Sequence, residues 1–187
     1  MSRENVNKLT TATFRVSFPH VFKASQAEEG GDFKFSLVAL FEEGEDLTKM
    51  KALAKRAVIE KWGDKAPKGL RSPFRDGDEK DYEEFAGKTF CTFSTKHKPK
   101  VVDEDVQLII DESEFYAGCY ARASIRAYAY DNKGNKGVSF GLINVQKVGD
   151  GEPLGGGSNP DDDFAPVGSN DNDDGDDDRD GGDADDD

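Results

Sequence analysis

Cys119-Tyr120-Ala121-Arg122-Ala123-Ser124-Ile125-Arg126-Ala127-Tyr128-Ala129-Tyr130 alternates with a period of two along its whole length. Strand side chains point to opposite faces in turn, so Cys119, Ala121, Ala123, Ile125, Ala127 and Ala129 share one face. All six are small or apolar. Tyr120, Arg122, Ser124, Arg126, Tyr128 and Tyr130 share the other face, a ladder of rings and guanidinium groups with no acid and no aliphatic residue. Strict alternation marks a half-buried β-strand with one face toward a core.

Asp131-Asn132-Lys133-Gly134-Asn135-Lys136-Gly137 comes next, rich in residues that tolerate positive φ, and then a second alternating run over residues 138–148. The pair predicts a β-hairpin. Three earlier runs alternate in the same way. Residues 12–22 place Phe14, Val16, Phe18 and Phe22 on one face, and residues 33–41 place Phe33, Phe35, Leu37, Ala39 and Phe41 together. Residues 88–96 set Phe90 and Thr92 against Cys91 and Phe93. One segment has helical spacing instead: Leu47, Met50, Leu53, Ala54, Ala57 and Val58, with Asp46 as N-cap and Gly63 beyond Trp62. A long polar excursion from Asp64 to Glu84 carries Pro67, Gly69, Pro73 and Gly77, and loops of that length are usually functional or mobile. Five strands, one interposed helix and long loops predict a mainly β fold, a five-stranded barrel of the OB type, with a β-sandwich as the competing architecture.

The charge is segregated. Of 39 acidic and 25 basic residues, residues 151–187 hold 15 acids and one base, Arg179, which accounts for the whole net charge of −14. The chain therefore reads as one folded domain over 1–150 and a disordered acidic tail over 151–187. No apolar run reaches the roughly 20 residues of a membrane helix, and the start Met1-Ser2-Arg3-Glu4-Asn5 has no secretory character. A cytoplasmic protein without membrane contact is expected, with Cys91 and Cys119 reduced and buried.

Aromatic rings interleaved with arginines suit single-stranded nucleic acid: rings stack on bases and guanidinium groups hold phosphates. The candidate DNA-binding residues on the strand are Tyr120, Arg122, Arg126, Tyr128 and Tyr130. The plain alternative is that the tyrosines pack under another layer and the arginines pair with carboxylates. Between Leu47 and Arg75 nine bases face only Glu60 and Asp64, and Lys96-His97-Lys98-Pro99-Lys100 forms a second basic knot. From these, Arg71, Arg75, Lys96, Lys98 and Lys100 join the candidates; the helix bases suit a solvated surface equally well. The tail, a polyanion, would imitate DNA and compete for the same face, or would simply aid solubility.

Phe115-Tyr116-Ala117-Gly118-Cys119-Tyr120-Ala121-Arg122-Ala123-Ser124, the 132–137 hairpin, Gly141-Leu142-Ile143-Asn144-Val145-Gln146-Lys147 and Gly151-Glu152-Pro153-Leu154-Gly155-Gly156 together resemble a family of bacteriophage single-stranded DNA-binding proteins built on an OB fold. The resemblance implies a homodimer acting in replication and recombination in the host bacterial cytoplasm. It would coat single strands, assist annealing and recruit polymerase, helicase or primase through its tail. In such proteins an aromatic residue closes the tail, whereas this sequence closes on Asp185-Asp186-Asp187. Phe164, the one aromatic in the tail, either takes over the partner contact or that contact is absent; Phe164, Asp185, Asp186 and Asp187 are the candidate partner-binding residues.

Catalysis is not expected, nor any cofactor or resident metal. The two histidines, His20 and His97, fall in no metal-ligand spacing, and no Cys-x-x-Cys occurs. Asp103-Glu104-Asp105 and Asp111-Glu112-Ser113-Glu114 suggest charged turns more than a magnesium-dependent nuclease. Asp176, Asp178, Asp180 and Gly181 echo a calcium loop, a match that Asp-rich tails generate freely. The alternative function, of another class, is an acidic interaction module or DNA mimic that binds a basic protein and no DNA of its own.

Overall fold

Every period-two run forms a strand. In this computed structural model, which describes residues 7–26, 28–154 and Val167, the strands are β1 (Lys8–Thr10), β2 (Phe14–Gln26), β3 (Phe33–Phe41), β4 (Arg75–Asp76), β5 (Thr89–Thr95), β6 (Lys100–Val102), β7 (Tyr120–Asn132) and β8 (Asn135–Gly149). The five long ones pair in the order β2-β3-β5-β8-β7, and β7 returns to β2, so the sheet closes into a ring. Its β5–β8 pairing is parallel and the rest are antiparallel. Short β1, β4 and β6 flank β7, β5 and β8. This is the OB-type arrangement; a single continuous sheet leaves no second layer for a sandwich.

The inward faces fill the ring. Cys119, Ala121, Ala123 and Ile125 of the opening stretch are buried, beside Phe14, Val16, Leu37, Ala39, Phe41, Cys91, Phe93 and Phe140. Edge-to-face rings run from Phe41 to Phe14 (5.7 Å), Phe93 (5.7 Å), Phe140 (5.8 Å) and Phe74 (5.5 Å), so one aromatic chain ties three strands and a loop to Phe41 of β3. Both cysteines are free, and burial pushes the Cys91 thiol up to about 12, which leaves it unreactive.

Helix α1 (Thr48–Trp62) buries Met50, Leu53, Ala54 and Ala57 and packs on β7 and β8. Asp46 caps it from one residue further out than a standard cap: its Oδ1 accepts from the Thr48 N–H at 3.0 Å. Hydrogen bonds to the ionised carboxylate, first from the Thr48 side chain and then from its backbone N–H, lower the Asp46 pKa. Gly63 ends the helix at a φ of 58°, which a side chain would strain.

One expected face is not formed. Phe18 does not join Phe14 and Val16 in the core: β2 is irregular between Ser17 and His20, and Phe18 has a φ of 43°. Pro19 has no N–H to give the ladder, and the extra residue re-aims the side chains beyond it. Phe18 turns outward, 43% exposed, and Val21 takes the inward place. Phe22 is half-buried against Phe115. Phe33, likewise expected inside, is 63% exposed where β3 runs past the core.

Ordered contacts continue to Leu154. Its N–H donates to the Ala117 carbonyl at 2.8 Å, and Arg15 Nη2 donates to the Glu152 carbonyl at 2.6 Å. Lys147 pairs with Asp150 at 2.6 Å, and the Tyr116 hydroxyl lies 3.0 Å from Asp150 Oδ1. The hydrogen bond from Lys147, then that from Tyr116, lowers the Asp150 pKa. A side chain at Gly118 would run into the Glu152 carbonyl, so glycine is needed where the strands meet this outgoing segment.

Candidate nucleic-acid interface

On β7 the even positions face outward, as alternation requires: Tyr120, Arg122, Arg126 and Tyr128 are exposed, Ser124 and Tyr130 partly so. Across the ladder, Arg126, Tyr128 and Tyr130 face Gly141, Ser139 and Gly137 of β8. These small residues let the rings lean over the neighbouring strand. A Cβ on Gly141 would lie 3.7 Å from the Tyr128 ring, and one on Gly137 would lie 2.8 Å from the Tyr130 hydroxyl. Tyr128 remains 46% exposed.

Three hollows adjoin on this side. The first, about 490 Å³, is lined by Lys34, Ser94, Lys96, His97, Lys98, Arg126 and Tyr128 among others. The second, about 670 Å³, is lined by Arg71, Phe74, Arg75, Thr92, Tyr130 and Ser139 among others. The third, about 480 Å³, is lined by Phe18, His20, Lys34, Ser36, Thr92, Ser94 and the acids Glu28 and Asp32 among others, and shares Lys34 and Ser94 with the first and Thr92 with the second. The outward residues of β3 and β5 thus floor one groove, and β7 and β8 wall it.

The backbone fixes the basic side chains at its edge. Arg71 bridges Gly137: its N–H donates to the Lys136 carbonyl at 2.9 Å, and its carbonyl accepts from Val138 at 3.1 Å. Arg75 is held by the pairing of β4 with β5. Two exposed ion pairs occupy cations of the groove, Lys96–Asp32 at 3.2 Å and Arg75–Glu79 at 3.3 Å. Pairs of this kind contribute about 0–1 kcal/mol each, so a phosphate can replace the carboxylate at little cost.

The candidates therefore separate. Arg126, Tyr128, Tyr130, Lys96, Lys98, Arg71 and Arg75 line the groove. Tyr120, Arg122 and Lys100 stand elsewhere on the outer surface. Tyr120 has Arg15 over its ring at 6.0 Å and lies against Gly151, beside the outgoing segment. Arg122 Nε donates to Gln146 Oε1 at 2.7 Å. Lys100 is on β6, with its backbone N–H bonded to Asn144 Oδ1 at 3.1 Å. Phe164, Asp185, Asp186 and Asp187 lie outside the described residues, as does the calcium-like run 176–187.

Lys34, Thr92 and Ser94 escape sequence reasoning. Their signal is present as the outward half of the same alternation that marks the core, but only strand pairing brings them together. The acid clusters are turn caps: Asp103 Oδ1 accepts from Asp105 at 2.9 Å and Gln107 at 3.0 Å, and Asp111 Oδ1 accepts from Ser113. No group of three or more potential metal ligands occurs among the described residues, and none of their helices is long and apolar enough to cross a membrane.

A closed five-stranded ring with a basic, ring-lined groove across its outer face defines a protein of the OB class. The sequence pattern of the family described by the single-stranded DNA-binding protein of Enterobacter phage Enc34 matches residues 7–178, and the chain belongs to that family. Protein p50 of Acyrthosiphon pisum secondary endosymbiont phage 1 is 33% identical over 162 residues, 80% of this chain and 88% of its own length. The fold is similar to that of the phage Enc34 single-stranded DNA-binding protein solved with single-stranded DNA, at a TM-score of 0.68 and 23% identity, covering 81% of this chain and 91% of that one. It is also similar to gp2.5, a single-stranded DNA-binding protein encoded by bacteriophage T7, at a TM-score of 0.61 and 14% identity, covering 87% and 97%.

Proposed function

We propose that this chain binds single-stranded DNA without sequence preference, with Tyr128 and Tyr130 stacking on bases and Arg126, Lys96, Lys98, Arg71 and Arg75 holding the backbone. The observation that supports it is the adjoining set of hollows that gathers those residues, distant in sequence, on one concave face. Stacking accepts every base, because every base has a π-face. Tyr120, Arg122 and Lys100 belong to the same proposal as outlying contacts.

The test is fluorescence anisotropy with labelled oligo(dT), against matched duplex, over a salt series. Single strands are expected to bind far more tightly than duplex, with log K falling against log salt by about 0.7 per phosphate neutralised. Equal binding of the two forms, or none at low salt, would remove the proposal.

On the same reading the acidic tail beyond Leu154 occupies the groove when DNA is absent and is displaced when it arrives. Once freed it recruits polymerase, helicase or primase. The protein acts as a homodimer in the host bacterial cytoplasm, in replication and recombination. Tethering supplies an effective concentration on the order of millimolar. Against a weak polyanion affinity of about 0.1 mM, deletion of residues 158–187 should tighten DNA binding about tenfold at low salt. The gain should vanish as salt rises, because both competitors are screened. Unchanged affinity at low salt would sink the competition scheme and leave DNA binding itself intact.

A further inference from the structure

The outer face of β2, β3 and β5 is divided in two. One part is open groove floor: Lys34, Ser36, Thr92 and Ser94. The other is roofed by a second small core, where Leu40, Phe85 and Phe90 are buried with Val38 and Leu154 packed on them. Phe85 stacks flat on Phe90, with centroids 5.2 Å and planes 8° apart. Tyr82 meets Phe85 edge-on at 5.2 Å, and Phe18 meets Tyr82 edge-on at 5.4 Å. The inner pair is buried, at 1% and 4% exposure, whereas Phe18 and Tyr82 keep 43% and 45%.

The inner pair closes the second core without the outer one. Phe18 also adopts a backbone conformation, φ 43°, that is costly for any residue with a Cβ, and it gives up a place in the main core to do so. The return is position. Phe18 lines the hollow that shares Lys34, Ser94 and Thr92 with the two hollows of Tyr128 and Tyr130. Round the ring through the groove, β3, β5 and β8 lie between β2, which carries Phe18, and β7; the direct β2–β7 pairing is confined to Phe14 and Arg15 with Ala121 and Tyr120, at the end of β7 away from Tyr128 and Tyr130. Cations attend the ring stack: Arg75 lies 5.5 Å from the Phe90 centroid and Lys80 lies 6.0 Å from it.

We infer that Phe18 and Tyr82 form a second base-stacking platform on the far side of the groove from Tyr128 and Tyr130, with Arg75 and Lys80 taking the adjoining phosphates. The inference rests on the single-stranded DNA reading and deepens it: the strand crosses the β3–β5 floor and is gripped at both edges. An oligonucleotide long enough to reach both platforms uses both, and a shorter one uses one.

Anisotropy titrations of oligo(dT) of increasing length, on Phe18→Ala/Tyr82→Ala and separately on Tyr128→Ala, test it. The double variant should lose about tenfold or more on long oligonucleotides, the equivalent of one lost stack, and progressively less as length falls. Phe18→Leu/Tyr82→Leu, which keeps apolar bulk and removes the π-face, should lose a similar factor while melting like the parent. Photocrosslinking of the unaltered protein to 5-iododeoxyuridine oligonucleotides, mapped by mass spectrometry, should mark Phe18 or Tyr82. Parental affinity of the leucine variant at every length, with no crosslink at either residue, would overturn the platform while the Tyr128→Ala loss upheld the groove. Failure of the unaltered protein to bind single strands would remove both.

Discussion

Arg126→Ala combined with Tyr128→Ala is expected to weaken single-stranded DNA binding by about two orders of magnitude and to leave the melting temperature within about 2 °C of the parent. Tyr128 is 46% exposed, and Arg126 has solvent on its outward side, so neither holds the barrel together. Substitutions at such positions change stability by about 0.5 kcal/mol or less. The loss on binding is larger in kind. One base stack contributes about 1–3 kcal/mol, and a hydrogen bond to a charged group contributes about 1.5–3 kcal/mol. Even the low ends together give about 2.5 kcal/mol, just under a hundredfold. Titration of labelled oligo(dT), with a thermal melt on the same samples, reads both quantities. A dissociation constant within threefold of the parent would contradict the groove, and the interaction-module alternative would then account for the acidic segment better.

The strands are legible because burial on one side leaves a period-two signature. β3 spans Phe33–Phe41 as the pattern suggests, and Cys119, just before β7, is buried together with Ala121, Ala123 and Ile125 on it. Short flanking strands leave no such trace. β1, β4 and β6 have two or three residues each, too few to show a period, and exist because a neighbour offers a free edge. Phe18 departs from expectation for a different reason. Alternation extrapolates a regular ladder, and the irregularity beside Pro19 shifts the phase, so a phenylalanine expected in the core points into solvent.

The groove is half legible. Arg126, Tyr128 and Tyr130 stand out as one face of one strand, because local geometry alone puts them together. Their separation from Tyr120 and Arg122 is not legible, since it depends on where residues 150–154 lay their backbone and on which residue of β8 faces Arg122. Arg15 and Gly151 claim Tyr120, and Gln146 claims Arg122. The floor of Lys34, Thr92 and Ser94 joins separate sequence regions through pairings that no local pattern encodes. Long-range pairing selects which outward residues share a surface, and the pattern says only that they are outward.

That division between wall and core sets up a second large effect with the opposite signature. Phe93→Ala should lower the unfolding free energy by about 3–5 kcal/mol, the usual cost of truncating a buried phenylalanine. Phe93 is fully buried and meets Phe14 at 5.7 Å and Phe140 at 5.8 Å, and Phe140 in turn supports Phe74 at 5.5 Å. The cavity therefore opens at the junction of β2, β5 and β8. Domains of this size hold only about 5–15 kcal/mol in total, so the variant should show a markedly lower urea midpoint. Its surviving folded fraction should still bind oligo(dT), because Arg126 and Tyr128 stand on strands that the ring pairings keep in register. Phe74 carries one further consequence. It sits between Arg71 and Arg75, so loosening Phe140 should weaken their phosphate contacts and flatten the salt slope before stacking is lost. A destabilisation below about 1 kcal/mol in urea titration would mean that the ring chain does not unite the barrel. Steep salt dependence retained in a folded Phe93→Ala would separate the arginines from the core that is argued to hold them.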